Sequence, residues 1–201
     1  MTNYLSLLFL GVVLCGWTSA CPGIYYRFQW NARPPKEIVN MTMPLSNVVV
    51  HHTVMGDGNC SSVPECILVM QEIQDFHMDD RGWSDIGYSF LIGAEGSIFQ
   101  GRGWNRVGAH APGMNDRSVG ISLIGDYSTK LPPQIQMDSA KALIECGIEL
   151  GHILPDYSLF GHRDVTQTDC PGDLFYDEEL SLWPHKQTTS PPLGYTKKMG
   201  D

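Results

Sequence analysis

Basic residues are scarce in this chain: thirteen Lys and Arg stand against twenty-two Asp and Glu, a formal net charge of -9. Nucleic acids and anionic membrane surfaces reward the opposite balance, so neither is an expected partner. Net charge does not exclude a local basic cleft, because it is silent on where the charges sit. Also missing is any apolar run of the roughly 20 residues that a membrane helix requires. No HExxH pair and no internal repeat is present. A length of 201 residues suits one domain with one core and short ends, and a monomer is expected.

Charged side chains are absent from residues 1–20, where an apolar run over 5–15 is followed by the small residues Thr18, Ser19 and Ala20. That pattern is expected of a secretory signal peptide, although only the amino terminus supplies positive charge ahead of the run. The protein is therefore expected to be secreted. Loss of Cys15 with the signal would leave Cys21, Cys60, Cys66, Cys146 and Cys170, five of the six cysteines. In an oxidising compartment most thiols pair, so an odd number leaves at least one free, intermolecular or bound to a metal. Cys60 and Cys66, around a Ser-Ser-Val-Pro turn, are the best local disulfide candidates. Sequence alone does not pair the rest.

The β-branched run at 45–53, LSNVVVHHT, reads as a buried strand that delivers His51 and His52 at its carboxyl end. Ile67, Leu68, Met70, Ile73 and Phe76 recur at helical spacing over 65–80, with Pro64 suited to a helix start. A hairpin is expected over 87–93 and 97–100, joined by Ala94-Glu95-Gly96. A loose glycine-rich loop leads to another strand at 119–124. A second helix covers 133–151, with Ile135, Ala140, Leu143, Ile144 and Ile148 on one face. A weak strand at 157–160, a polar loop at 161–172 and a last short helix at 173–183 complete the domain. Beyond His185 apolar periodicity fails, and 186–201 is expected to be a flexible tail. The sum is an α/β fold: a single domain over 21–185 with a central mixed sheet flanked by about three helices.

A hydrolytic zinc site needs three protein ligands and an open fourth position for water. His51 and His52 at the strand end, with His162 and Cys170 in GHRDVTQTDCPG, offer such a set. A thiolate with two imidazoles suits zinc better than magnesium or calcium, and a metal-bound Cys170 would account for the odd cysteine.

Taken together, VVVHHT, the Cys60/Cys66 loop, FHMDDRGWSDIGYSFLIG, GRGWNRVGAH, VGISLIGDY, GHRDVTQTDCPG and SLWPH resemble the peptidoglycan recognition protein family over residues 21–185. The family is similar in fold to the amidase-type phage lysozymes. Its catalytic members use zinc to hydrolyse the bond between N-acetylmuramic acid and L-alanine, whereas other members only bind peptidoglycan and its muropeptide fragments. The resemblance implies His51, His162 and Cys170 as zinc ligands, and Cys170 favours an enzyme, since binding-only members typically carry another residue there, often Ser. Tyr88 and Thr168 also match the catalytic pattern, Tyr88 as a hydrogen-bond donor to the developing oxyanion. A core tyrosine and a loop hydroxyl that caps backbone are the alternatives. No motif holds a Glu placed to act as general base, and the proton acceptor stays unassigned.

Gly82 and Trp83, with Arg102, resemble members that prefer meso-diaminopimelate stems. A guanidinium can bind the extra carboxylate of diaminopimelate through two parallel hydrogen bonds. His52, His77, Trp104, His110 and Asn115 are expected in the same groove, though Trp83 and Trp104 can equally serve as core. The resemblance implies disulfides Cys60–Cys66 and Cys21–Cys146, leaving Cys170 free.

Overall fold

The structure, a computed structural model, describes residues 21–55 and 60–187. The expected signal peptide and residues 188–201 of the expected tail lie outside the described residues.

Six strands form one mixed sheet: β1 (Ile24–Tyr25), β2 (Leu45–His52), β3 (Phe90–Ile92), β4 (Ile98–Gln100), β5 (Ser118–Leu123) and β6 (Ile153–Gly161), in the order β1-β4-β3-β5-β2-β6. The β3–β4 hairpin is antiparallel, and β2 lies parallel between β5 and β6. A strand with parallel neighbours and both faces covered cannot alternate with polar residues, hence the run of Val48, Val49 and Val50, all fully buried.

Helices cover both faces. On one side α2 (Gln134–Glu149) and α4 (Asp173–Glu178) contribute Leu143, Ile144 and Phe175 to the larger core, which continues through Val48, Val50 and Phe90 of the sheet. On the other, α1 (Val63–Asp75) buries Met70 and Ile73 against Leu91, Phe99 and Trp30. The expected α/β architecture is thus present, a three-layer arrangement around one sheet. Disulfides join Cys21 to Cys146 and Cys60 to Cys66, and Cys170 is free.

Several boundaries differ from expectation for physical reasons. The first helix does not run evenly to Asp80: Phe76–Asp80 winds as a π-turn, closed by Arg81 N–H donating to the Phe76 carbonyl, and the wider turn buries both His77 and Met78. β6 is longer than the apolar run suggests because Pro155 lies in an edge strand, where a missing N–H costs no ladder bond. The polar loop contains a single helical turn, α3 (His162–Val165), and the last helix breaks after Glu178 into a 3-10 turn, Leu180–Leu182. Strand β1 and the 3-10 turn Arg27–Trp30 lie in a stretch with no legible period. Leu68 and Ile135, expected on buried faces, are exposed.

Contacts with the sheet continue past His185. Lys186 bridges to Leu159 of β6, and its ammonium, nearly buried, lies 2.9 Å from Asp164 Oδ2. Asp164 also accepts from Gly161 N and from the Tyr176 hydroxyl. Removing one partner of a buried pair leaves an uncompensated charge, so Lys186→Met is expected to destabilise the fold by about 3–5 kcal/mol in urea denaturation. A loss under about 1 kcal/mol, the range of a surface pair, would show that Lys186 is not part of the folded unit.

Candidate metal centre and cleft

The carboxyl ends of parallel strands are where an α/β sheet presents functional side chains, and β2, β5 and β6 all end on one edge. His51 is at the end of β2, and His162 follows β6 directly. Cys170 arrives from the loop after α3, pinned by Arg163, whose N–H donates to the Cys170 carbonyl and whose guanidinium contacts the Asp169 carbonyl and Asp173. Nothing in the sequence marks Arg163 beyond its adjacency to the candidate ligand His162.

The three ligand atoms of His51, His162 and Cys170 lie within 4.8 Å of one another and could hold a metal ion. His51 Nδ1 is 3.8 Å from Cys170 Sγ, and the His51 and His162 ring centroids are 4.4 Å apart. His162 Nε2 is buried with no hydrogen-bond partner. A buried nitrogen without a partner is costly unless its lone pair has another use, and a cation supplies one.

Burial also fixes the protonation states. It holds the His51 imidazole well below its ordinary pKa and brings His162 down to about 4 and His110 down to about 3, with His162 adding repulsion at the other two rings. All three rings are neutral at pH 7, the form that ligates metal. The Cys170 thiol is pushed up to about 12 by burial, so it keeps its proton until a cation displaces it. Burial and the neighbouring Cys170 raise the Tyr88 phenol, which therefore remains a donor.

Above this cluster opens a cleft of about 710 Å³, whose wall includes His77, Trp83, Tyr88, His110, Asn115 and His162. Tyr88 lies 5.2 Å from His51, ring to ring, and Trp83 stacks on His77 at 4.6 Å. Arg81, Phe76 and Met55 also line the cleft; the sequence marks Phe76 only as part of a helical stripe and gives no signal for the other two.

Other residues expected in the groove are elsewhere among the described residues. Strand alternation turns His52 to the opposite face from His51, where its Nδ1 accepts from Tyr127 N–H at 3.3 Å and lies 3.8 Å from Asp126. Arg102 stands behind the wall, its guanidinium donating to the carbonyls of Ile86, Val107 and Asp85. Trp104 packs against Phe90 and stacks on His152, so it belongs to the core side. Gly82 is exposed in a left-handed conformation that turns the chain ahead of Trp83. The Thr168 hydroxyl accepts from Cys170 N–H at 3.3 Å, the backbone-capping alternative.

A cleft floored by neutral buried histidines should be acid-labile without metal. His77, brought by burial down to about 4 from 6.5, binds fewer protons folded than unfolded across that window. Its contribution is complete above pH 6.5 and is lost as pH falls to 4, about 1.4 kcal/mol per pH unit for each such group. Urea denaturation in the presence of chelator is expected to show falling stability from pH 6.5 to 4, with a shallower slope in His77→Gln. A flat profile would contradict the buried neutral assignment.

The sequence profile of the family described as N-acetylmuramoyl-L-alanine amidase matches residues 41–173. Peptidoglycan-recognition protein LB of Drosophila melanogaster is 50% identical over 159 residues, 79% of this chain and 68% of that protein. N-acetylmuramoyl-L-alanine amidase of Homo sapiens is 39% identical over 174 residues, 86% of this chain but 30% of that much longer protein. A solved structure of a Drosophila PGRP-LB mutant in complex with tracheal cytotoxin superposes with a TM-score of 0.80 at 46% identity, covering 85% of this chain and 99% of that one. The chain belongs to the peptidoglycan-recognition protein family and carries its N-acetylmuramoyl-L-alanine amidase domain.

Proposed function

We propose that this protein is a secreted, zinc-dependent N-acetylmuramoyl-L-alanine amidase that cuts the stem peptide from bacterial peptidoglycan and its muropeptides. The observation that carries the reading is the set of two imidazoles and a free thiol, one of them, His162, lining the cleft. That donor set suits zinc, and its softness disfavours magnesium and calcium. When bound by His51, His162 and Cys170, zinc would supply Lewis acidity and an acidified water.

The chain's own residues do the rest. Tyr88, in the wall and protonated, donates a hydrogen bond to the lactyl carbonyl oxygen as it becomes tetrahedral, a contact worth roughly 3 kcal/mol. Water adds to the carbonyl carbon, the C–N bond breaks, and the alanine nitrogen leaves with a proton. Thr168 acts at one remove by holding the Cys170 backbone. His77 and Trp83 present a stacked pair against which a stem peptide or sugar can lie.

Preference for diaminopimelate stems belongs to the same reading. Arg81 is the guanidinium in the wall, and Arg102 braces the segment behind it. Secretion is supported by the expected signal at residues 1–20 and by two disulfides, which persist in oxidising compartments. A monomer suffices, because one chain supplies all three ligands.

The test is mass spectrometry of diaminopimelate-type and lysine-type muropeptides incubated with zinc-loaded protein. Free stem peptide is expected with wild type, faster from the diaminopimelate type, and at least 100-fold slower with Cys170→Ser or Tyr88→Phe. Binding without release by the wild type would replace the amidase reading with that of a peptidoglycan sensor.

A further inference from the structure

Two buried imidazoles meet edge to face beneath the cleft, and their contact decides which nitrogen of His51 remains to bind a cation. His51 Nε2 lies 3.0 Å from His110 Nδ1, with the rings at 84°, while His51 Nδ1 lies on the other side, 3.8 Å from Cys170 Sγ. A neutral imidazole has one N–H and one lone pair. If the proton sits on Nε2 it is donated to His110, and the Nδ1 lone pair is left to face His162 and Cys170. If His110 were the donor, the proton of His51 would sit on Nδ1 and point at the sulfur, leaving nothing to ligate. We propose that His110 is a positioning residue that accepts from His51 Nε2–H and thereby presents His51 Nδ1 to the metal.

The surroundings of His110 hold its ring in place, with Nε2, the atom that then carries the His110 proton, buried and without a hydrogen-bond partner. A Cβ built at Gly120 would come within 2.5 Å of His110 Cδ2, and one at Gly108 within 2.4 Å of the same atom, so the ring occupies a slot that only two glycines leave open. Asn115 Oδ1 accepts from the backbone N–H of both His110 and Ala111, at 2.7 and 2.9 Å, which fixes the loop behind the ring. The ring is nearly fully buried although its edge reaches the cleft wall. His110 and Asn115, expected from the sequence as groove residues, therefore form a chain of support that ends on a ligand: Asn115 sets the loop, the loop sets His110, and His110 sets the tautomer of His51. Partners of metal-bound histidines act in this way and strengthen binding without touching the metal.

This role rests on the metal reading of His51, His162 and Cys170 and adds a claim about tautomer, so it is tested without substrate. Zinc affinity of the full chain is measured by competition with a chromophoric chelator. His110→Leu, which fills the slot but accepts no hydrogen bond, is expected to weaken zinc binding by about 10- to 100-fold. His110→Asn, whose amide oxygen falls near the lost Nδ1, is expected to remain within about threefold of wild type. Imidazole nitrogen NMR on the zinc-loaded wild type needs no variant and is expected to place the His51 proton on Nε2. A proton on Nδ1, or wild-type zinc affinity in His110→Leu, overturns the proposal. A wild type that takes up no more zinc than Cys170→Ser overturns the metal reading itself, and this role with it.

Discussion

Taking a hydrogen-bonding nitrogen out of water without giving it a partner costs about 1–3 kcal/mol, and His162 Nε2 is in that position. The same burial that strips its partner holds His51, His110 and His162 neutral and keeps the Cys170 thiol protonated in the metal-free state. The cluster is thus built at a cost to the free fold, and a cation that took two lone pairs and a thiolate would offset that cost. The packed sheet buries His51 and leaves His162 and Cys170 half-buried beside the cleft, where their donor atoms stay available.

The topology explains how three residues far apart in sequence reach one point. β2 is flanked on both sides by parallel strands, so its carboxyl end and that of β6 emerge together. His51 ends the first and His162 follows the second, while Arg163 ties down the loop that returns Cys170 to them. Behind the candidate ligands, Asp164, Tyr176 and Lys186 form a partly buried network that caps the turn carrying His162. The same turn therefore carries a candidate ligand on one side and anchors the end of the described chain on the other.

Much of this was legible in the residues. Valine runs and helical spacing located β2, α1 and α2, because burial on both faces of a strand or one face of a helix leaves a periodic trace. The candidate ligands were legible as types and, through family resemblance, as positions. Contacts that depend on direction were harder. His52 and His51 look equivalent in sequence, and only the pleat sends them to opposite faces. Arg102 resembles a ligand-reading cation, but the fold surrounds it with carbonyls, whereas Arg81, one residue before a turn, reaches the cleft. Trp104 and Trp83 have the same chemistry and opposite fates, set by which side of the wall each loop presents. Lys186 follows a stretch without period, and nothing local announces its buried partner.

Two imidazole nitrogens and one sulfur, delivered by the ends of β2 and β6 and the loop beyond, are proposed to form one metal centre. X-ray absorption at the zinc edge on the loaded full-length protein reads that donor set. One zinc per chain is expected, with a single sulfur at about 2.3 Å and two nitrogens at about 2.0 Å around it. A first shell without sulfur, or with only oxygen neighbours, would contradict it.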